Sequence, residues 1–397
     1  MNIASQLSGF SGERNSDFAR AIATDWDAFR SAFPTTKRFV YLDTARKALL
    51  PVWVEEAMSG WLRDIYENAG EGAFSMTEIE AARAEIACTF GAPATNLALI
   101  KNTSEGVNIL AKGLDIHAGE NVVLSECEHE NNTFPWRYLA AKGVDVRIIR
   151  AGNDGRIPLE RYRDTIDSKT RVVSVAWVAY GNGARSDVPA LASIARRHGA
   201  LVAVDGIQAV GTINQRIDSL EADVVVAGGH KTQFSLAGAG FLYVRDNAIE
   251  RIVPPYAAKF SFTSLDRTVA ELTLASDAHR FEYGNPNFLG IHVQQSSARM
   301  IREVGLDRIE ARVRLLTDRL IAGLDAAGIA VRTPRPWQQR AGIVSMDLRR
   351  HAGDAVRQLA QRKIIVSEKD GFVRASVHAY NNESDIDTLL DALRGAA

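Results

Sequence analysis

Four short runs carry side-chain types suited to covalent carbonyl chemistry. Asp205-Gly206-Ile207-Gln208 offers a carboxylate and an amide, and Gly228-Gly229-His230-Lys231 offers an amine beside an imidazole. Asn102-Thr103-Ser104-Glu105-Gly106 sets two hydroxyls in a helix-start pattern, and Ser125-Glu126-Cys127-Glu128-His129 ends on a second imidazole. An amine condenses with an aldehyde to an imine and can afterwards shuttle a proton. A helix N-terminus with hydroxyls presents N–H groups to a phosphate. Singly, each run has an ordinary use. A lysine after an apolar run is usually solvated, an Asp there caps a helix or forms a turn, and Thr-Ser-Glu is a common helix opening. Their joint occurrence is what points to one site.

The elements that must position them can be read from the apolar pattern. Strand candidates are 98–101, 121–124, 144–149, 172–178, 201–204, 224–227 and 240–244, all short apolar runs. Helical stretches separate several of them, such as 188–198 with Pro189 in its first turn. Strands alternating with helices imply a mostly parallel sheet covered on both faces. In such sheets ligands gather at the carboxyl ends of the strands, and all four runs directly follow a strand candidate. The 240–244 run comes after a short glycine-rich link and is expected to pair differently. A helix is expected at 79–90, with Ile79, Ala82, Ile86 and Phe90 on one face. Beyond residue 275 the pattern changes to a long helix-like stretch, 291–326, strand candidates at 343–348 and 373–376, and a final helix at 383–393. The expected organisation is an N-terminal polar arm at 1–35, a large domain at 36–275 and a smaller α+β domain at 276–397.

Composition removes several function classes. A formal net charge of -1 gives no reason to expect a nucleic-acid or membrane-surface partner. No apolar run approaches the ~18–20 residues needed to cross a bilayer. The opening MNIASQLSGFSGERNSDF lacks a basic stretch followed by an apolar core, so no secretory signal is expected. Two cysteines, Cys88 and Cys127, form no metal-type spacing and no disulfide framework, so no metal site is expected, and a reducing cytoplasm fits.

Lysine, carboxylate, helix start and stacking imidazole match the needs of pyridoxal 5′-phosphate (PLP). The lysine takes the aldehyde, the carboxylate keeps the pyridine nitrogen protonated, the helix start takes the phosphate, and His129 can stack on the ring. The Asp205-Gly206-Ile207-Gln208 run, Gly229-His230-Lys231 and the Gly238-Ala239-Gly240 turn resemble the class V aminotransferase family, which includes cysteine desulfurases, C–S lyases and isopenicillin N epimerase-like proteins. The resemblance runs from Tyr41-Leu42-Asp43 to Tyr380-Asn381, nearly the whole chain. It implies an α/β, aspartate-aminotransferase-like PLP fold (fold type I), a large mostly parallel sheet domain with a smaller α+β C-terminal domain, and a homodimer. It also implies roles. Lys231 is the Schiff-base lysine, Asp205 meets the pyridine nitrogen, Gln208 the ring hydroxyl, and His129 the ring face. Thr103, Ser104 and His230 hold the phosphate, and Arg374 clamps the substrate α-carboxylate. In Gly284-Asn285-Pro286-Asn287, Asn285 stands where relatives have a threonine that reaches the partner subunit's phosphate. Tyr180 stands where many desulfurases have an asparagine at the cofactor.

The departures bear on the reaction. Desulfurases carry a nucleophilic cysteine shortly before the position of Arg374. Here that stretch is Ile364-Ile365-Val366-Ser367-Glu368-Lys369-Asp370-Gly371, with no cysteine. Cys88, on the 79–90 helix, reads as structural, and Cys127 precedes His129 by two residues, away from the persulfide position. Gly228 replaces a serine that elsewhere binds phosphate. Arg46, in Ala45-Arg46-Lys47 where relatives have small residues, is either a reader of a second acidic group on the substrate or a solvated loop charge. The expected activity is β-elimination from a cysteine-like amino acid, of C–S lyase type, needing no persulfide cysteine. Epimerisation and transamination are the alternatives; an epimerase would need a second proton donor on the opposite ring face, for which Tyr180 or a residue near Arg46 is the candidate. A PLP-fold binding or regulatory domain without turnover is more remote, since Lys231, Asp205 and Arg374 are all present. A nicotinamide dehydrogenase would want GxGxxG after the early strand, where Asn102-Thr103-Ser104 stands instead.

Overall fold

The computed structural model describes residues 21–394 except 153, 269 and 350. After a short strand β1 (Val40–Tyr41), the apolar runs become β2 (Leu97–Ile100), β3 (Asn121–Ser125), β4 (Asp145–Ile149), β5 (Thr170–Ala176), β6 (Leu201–Asp205), β7 (Val224–Gly228) and β8 (Gly240–Val244). They form a seven-stranded sheet in the order β2-β8-β7-β6-β5-β3-β4. β8 runs antiparallel to both neighbours, and the other pairings are parallel. The link before β8 is too short for a helical crossover, so the chain returns antiparallel.

Alternation along the central strands divides the core. Val123, Val173, Val202, Val204 and Val225 pack on one face of the sheet, whereas Val122, Val172, Leu201, Ala203 and Val226 pack on the other. Burial on both faces explains why these runs are continuously apolar. The edge strand β4 is only partly buried, and its Arg147 pairs with Asp145 and Asp167. Charges of this kind blunt an open sheet edge.

A second, antiparallel sheet has the order β12-β13-β10-β9, built from β9 (Ala330–Val331), β10 (Ile343–Asp347), β12 (Ser367–Lys369) and β13 (Phe372–Ser376). β11 (Ile364–Ile365) pairs in parallel with β1, so residues near the start of the chain are tied to the C-terminal part. The helix expected at 291–326 is two helices, Phe288–Val304 and Leu306–Ala326. Gly305, at φ 90°, breaks the rod. Both halves share helical periodicity, so a lone glycine gave little sign of the break. The first half packs on the helices Val52–Glu67 and Met76–Phe90 beside the large sheet.

Residues 1–20 of the expected polar arm lie outside the described residues. The described remainder is anchored by aromatic side chains: Phe29 and Phe33 are buried against Trp53 and Phe234, and Arg30 pairs with Asp385 at 2.7 Å. Among the described residues, no helix is long and apolar enough to cross a membrane.

Candidate active site

The carboxyl ends of β2, β3, β5, β6 and β7 open on one cavity of about 430 Å³. Thr103, Ser104, His129, Tyr180, Asp205, Gln208, His230, Lys231, Arg374 and Arg46 all line it. Asn285 does not: it is exposed, in a separate pocket with Lys101, Glu105 and Tyr283.

Local folding explains how each side chain arrives. Asp205 closes β6, and its buried carboxylate accepts the Ile207 N–H at 3.0 Å. Burial pushes this carboxyl above the ordinary range, while the Ile207 N–H and Lys231 pull it back. Lys231 lies just past β7. Burial lowers its ammonium to about 8, Asp205 opposes the shift, and Arg374 and Lys369 add repulsion. An amine titrating there is unprotonated for a useful fraction of the time near neutral pH, as an attacking amine must be.

The helix Thr103–Gly113 starts at the cavity, capped by Asn102, whose Oδ1 accepts the Glu105 N–H at 2.9 Å. A Cβ on Gly106 would fall 2.4 Å from Val226 Cγ1. Glycine there lets the helix start lie directly on β7. The Thr103 hydroxyl then accepts the Gly228 N–H at 3.2 Å, which links the helix start to the Lys231 turn.

His129 caps the helix Glu130–Arg137, its Nδ1 accepting the Asn131 N–H at 3.1 Å. Burial, then the Lys231 charge, hold its imidazole below the usual range, so the ring is uncharged at neutral pH. It meets the Tyr180 ring edge-on, with centroids 4.9 Å apart. Gln208 Nε2 donates to the Ala45 carbonyl at 2.9 Å, which fixes the amide against the loop carrying Arg46. The strand expected to run to 178 ends at Ala176; Val178 leaves the sheet to bridge Arg185, so Tyr180 projects from a turn.

Arg374 is on β13, 1 % exposed. Its Nε donates to Ser367 Oγ at 3.1 Å, Nη1 to the Tyr180 carbonyl at 2.8 Å and Nη2 to Asp43 Oδ1 at 3.2 Å. Arg46 donates through Nε to the other oxygen of Asp43 at 2.6 Å, with 58 % of its side chain exposed at the cavity rim.

Three features went unread in the sequence. Asp43 joins the two arginines, and only its place in Tyr41-Leu42-Asp43 hinted at use. Glu128 is buried and pushed up to about 7, first by burial. It accepts from Ser125 at 2.5 Å and from Asn132 at 2.7 Å, anchoring the turn that presents His129. Lys369 and Ser367 also line the cavity, although their segment was notable at first only for lacking cysteine. Cys88, expected to be structural, is exposed, because it occupies the outer face of the helix Met76–Phe90.

The donor set suits PLP. An amine of lowered basicity beside a buried carboxylate, an uncharged imidazole, an amide, and hydroxyls at a helix N-terminus match the aldehyde, pyridine nitrogen, ring face, ring hydroxyl and phosphate respectively. The cavity falls within the volume range of small-ligand sites.

Comparison with known proteins agrees. The family model described as Aminotransferase class-V matches residues 40–389. A probable cysteine desulfurase of Methanothermobacter thermautotrophicus is 29% identical over 391 residues, covering 93% of this chain and 97% of its own. The apo structure of a cysteine desulfurase from Thermococcus onnurineus NA1 superposes with a TM-score of 0.85 at 28% identity, over 93% of this chain and 97% of that one. The cystine C–S lyase C-DES, solved with its reaction product cysteine persulfide, shares the fold at a TM-score of 0.84 and 22% identity, over 91% of this chain and 99% of that one. The chain therefore belongs to the class V aminotransferase family of PLP-dependent enzymes, with the fold type I architecture.

Proposed function

We propose that this enzyme cleaves the Cβ–S bond of a cysteine-like amino acid by β-elimination and forms no persulfide on itself. The observation that carries the reading is a cavity holding Lys231, Asp205 and Arg374 that neither cysteine lines. Cys88 is on an exposed helix face. Cys127 lines an adjoining cavity instead, and its thiol is pushed up to about 12, first by burial and then by Glu128 and Glu126. A thiol so basic is almost wholly protonated at neutral pH and is a poor nucleophile. In the segment before Arg374, Ser367 supports the arginine by hydrogen bonding.

Bound PLP supplies an electron sink that acidifies the substrate α-proton. Asp205 would keep the pyridine nitrogen protonated, Gln208 would meet the ring hydroxyl, and Thr103, Ser104 and His230 would hold the phosphate. His129, braced edge-on by Tyr180, would cover the ring face. Arg374 orients the α-carboxylate, a task suited to a planar fork of donors. Lys231 carries the cofactor at rest and takes the α-proton in turnover, because a base titrating near neutral pH can both accept and return it. The resemblance implies a homodimer, in which Asn285, exposed outside its own cavity, would serve the partner's phosphate site.

Relatives described as cysteine desulfurases and a cystine C–S lyase support sulfur chemistry. The test is incubation with cysteine, cystine, S-substituted cysteines and ordinary amino acids, following pyruvate, sulfide or thiol, keto acid and inverted substrate. Pyruvate and thiol should appear together in equal amounts. A keto acid retaining its sulfur, or an inverted substrate as the main product, would overturn the reading.

A further inference from the structure

We infer that the substrate's sulfur substituent ends in an anion and that Lys369, with Arg46, selects it. This rests on the β-elimination reading and names the substrate class for the same site. Arg46, Lys231, Lys369 and Arg374 all line the cavity, against Asp205 and Glu368. Lys231 has Asp205 as its counter-charge. Asp43 serves Arg374 and Arg46 together. Glu368 accepts the Gly371 N–H at 2.9 Å, which engages one of its oxygens in the β12–β13 turn. Among the described residues Lys369 has no ion-pair partner; its ammonium lies 5.7 Å from the centre of the Tyr180 ring.

Lys369 stands two residues from Ser367 on β12, on the same face of the strand. Ser367 supports Arg374, so the unpaired ammonium is presented beside the α-carboxylate clamp. Its field reaches the reacting groups, since it helps depress both His129 and Lys231. An ammonium without an ion-pair partner in a partly desolvated wall attracts an anion and disfavours a cationic substituent. Arg46 lines the same cavity with 58 % of its side chain exposed.

The substrate class is an S-substituted cysteine with a carboxylate or sulfonate on the substituent. In the reaction the Cα–H proton passes to Lys231, and the Cβ–S bond breaks with its electron pair leaving on sulfur, which is protonated to the thiol. The remaining three-carbon fragment takes up water, giving pyruvate and ammonium, with no oxidant or reductant required.

Two isosteric pairs test this on the holoenzyme. S-carboxymethyl-L-cysteine and S-carbamoylmethyl-L-cysteine differ in charge, hardly in shape. The acid should be preferred in kcat/KM by about tenfold or more, the scale of a charge-assisted over a neutral contact. Lys369→Gln should erase most of that ratio and Lys369→Arg should keep it. A ratio near one in the natural enzyme, or one unchanged by Lys369→Gln, overturns the inference and leaves elimination standing. L-glutamate and L-glutamine, which do not eliminate, give the second measurement through the change in cofactor absorbance on binding. Tighter glutamate binding that is lost in Lys369→Gln, without pyruvate from either cysteine derivative, upholds anion selection and rejects β-elimination.

Discussion

Asp43 and Arg374 meet at 3.2 Å under the cavity, with side chains 0% and 2% exposed. They are separated by most of the chain, and Asp43 uses its second oxygen for Arg46. Removing one partner of a buried ion pair strands the other charge, which costs about 3–5 kcal/mol. Asp43→Ala should therefore lose stability on that scale in urea unfolding. Asp43→Asn should lose less, because the amide oxygen still accepts from one arginine. A loss of under about 1 kcal/mol in Asp43→Ala would mean that the contact does not hold Arg374.

Lys231, at about 8 because burial disfavours its ammonium, gives a pH prediction with a definite sign. Only the neutral amine attacks an aldehyde. Capture of PLP by apoprotein, trapped with borohydride, should accelerate as pH rises to about 8 and level off above it. A lysine at its ordinary value of 10.5 would keep accelerating through pH 9 and 10. Lys231→Ala should trap no cofactor at this position and lose turnover by orders of magnitude, since nucleophile and proton shuttle disappear together.

Asp205→Asn keeps the shape of the side chain and its acceptor toward Ile207. Cofactor retention should be largely preserved, whereas turnover should fall by about 100-fold or more, because an unprotonated pyridine withdraws electrons poorly. Full activity in this variant would remove Asp205 from the pyridine nitrogen.

Replacing Cys88 and Cys127 together by Ser should leave kcat/KM within about threefold, with no sulfur added to the protein in intact-mass spectra taken during turnover. Cys127 is partly buried, with its Sγ 3.9 Å from the Gly155 carbonyl, so folding is checked by thermal unfolding. A persulfide on either cysteine, with activity lost on its replacement, would restore the desulfurase mechanism.

The parts of the fold that were legible were those governed by short-range pattern. Continuous Val-rich runs are expected of strands buried on both faces, and 240–244 matched β8 at both ends. Strand 172–178 ran too long because Trp177-Val178-Ala179 is as apolar as the strand before it, although Val178 pairs outside the sheet with Arg185. The 291–326 helix failed at Gly305 for a related reason: periodicity on both sides concealed the change of direction that a φ of 90° imposes.

For the site, the sequence by itself determined the chemical types at the strand ends: Asp205, Gln208, His230, Lys231, the Thr103-Ser104 helix start and His129. Each sits within a few residues of the apolar run that aims it, so local pattern was enough to collect them. Tertiary structure alone decided what stands around them. It brought Asp43 to Arg374 across 331 positions, turned Lys369 into the cavity and left Asn285 outside it. The placements of Arg374 and Lys369 depend on how the β12–β13 hairpin meets the Tyr180 turn and on the pairing of β1 with β11. A charge's partner is set by distance in space, and neither residue type nor local periodicity encodes that distance.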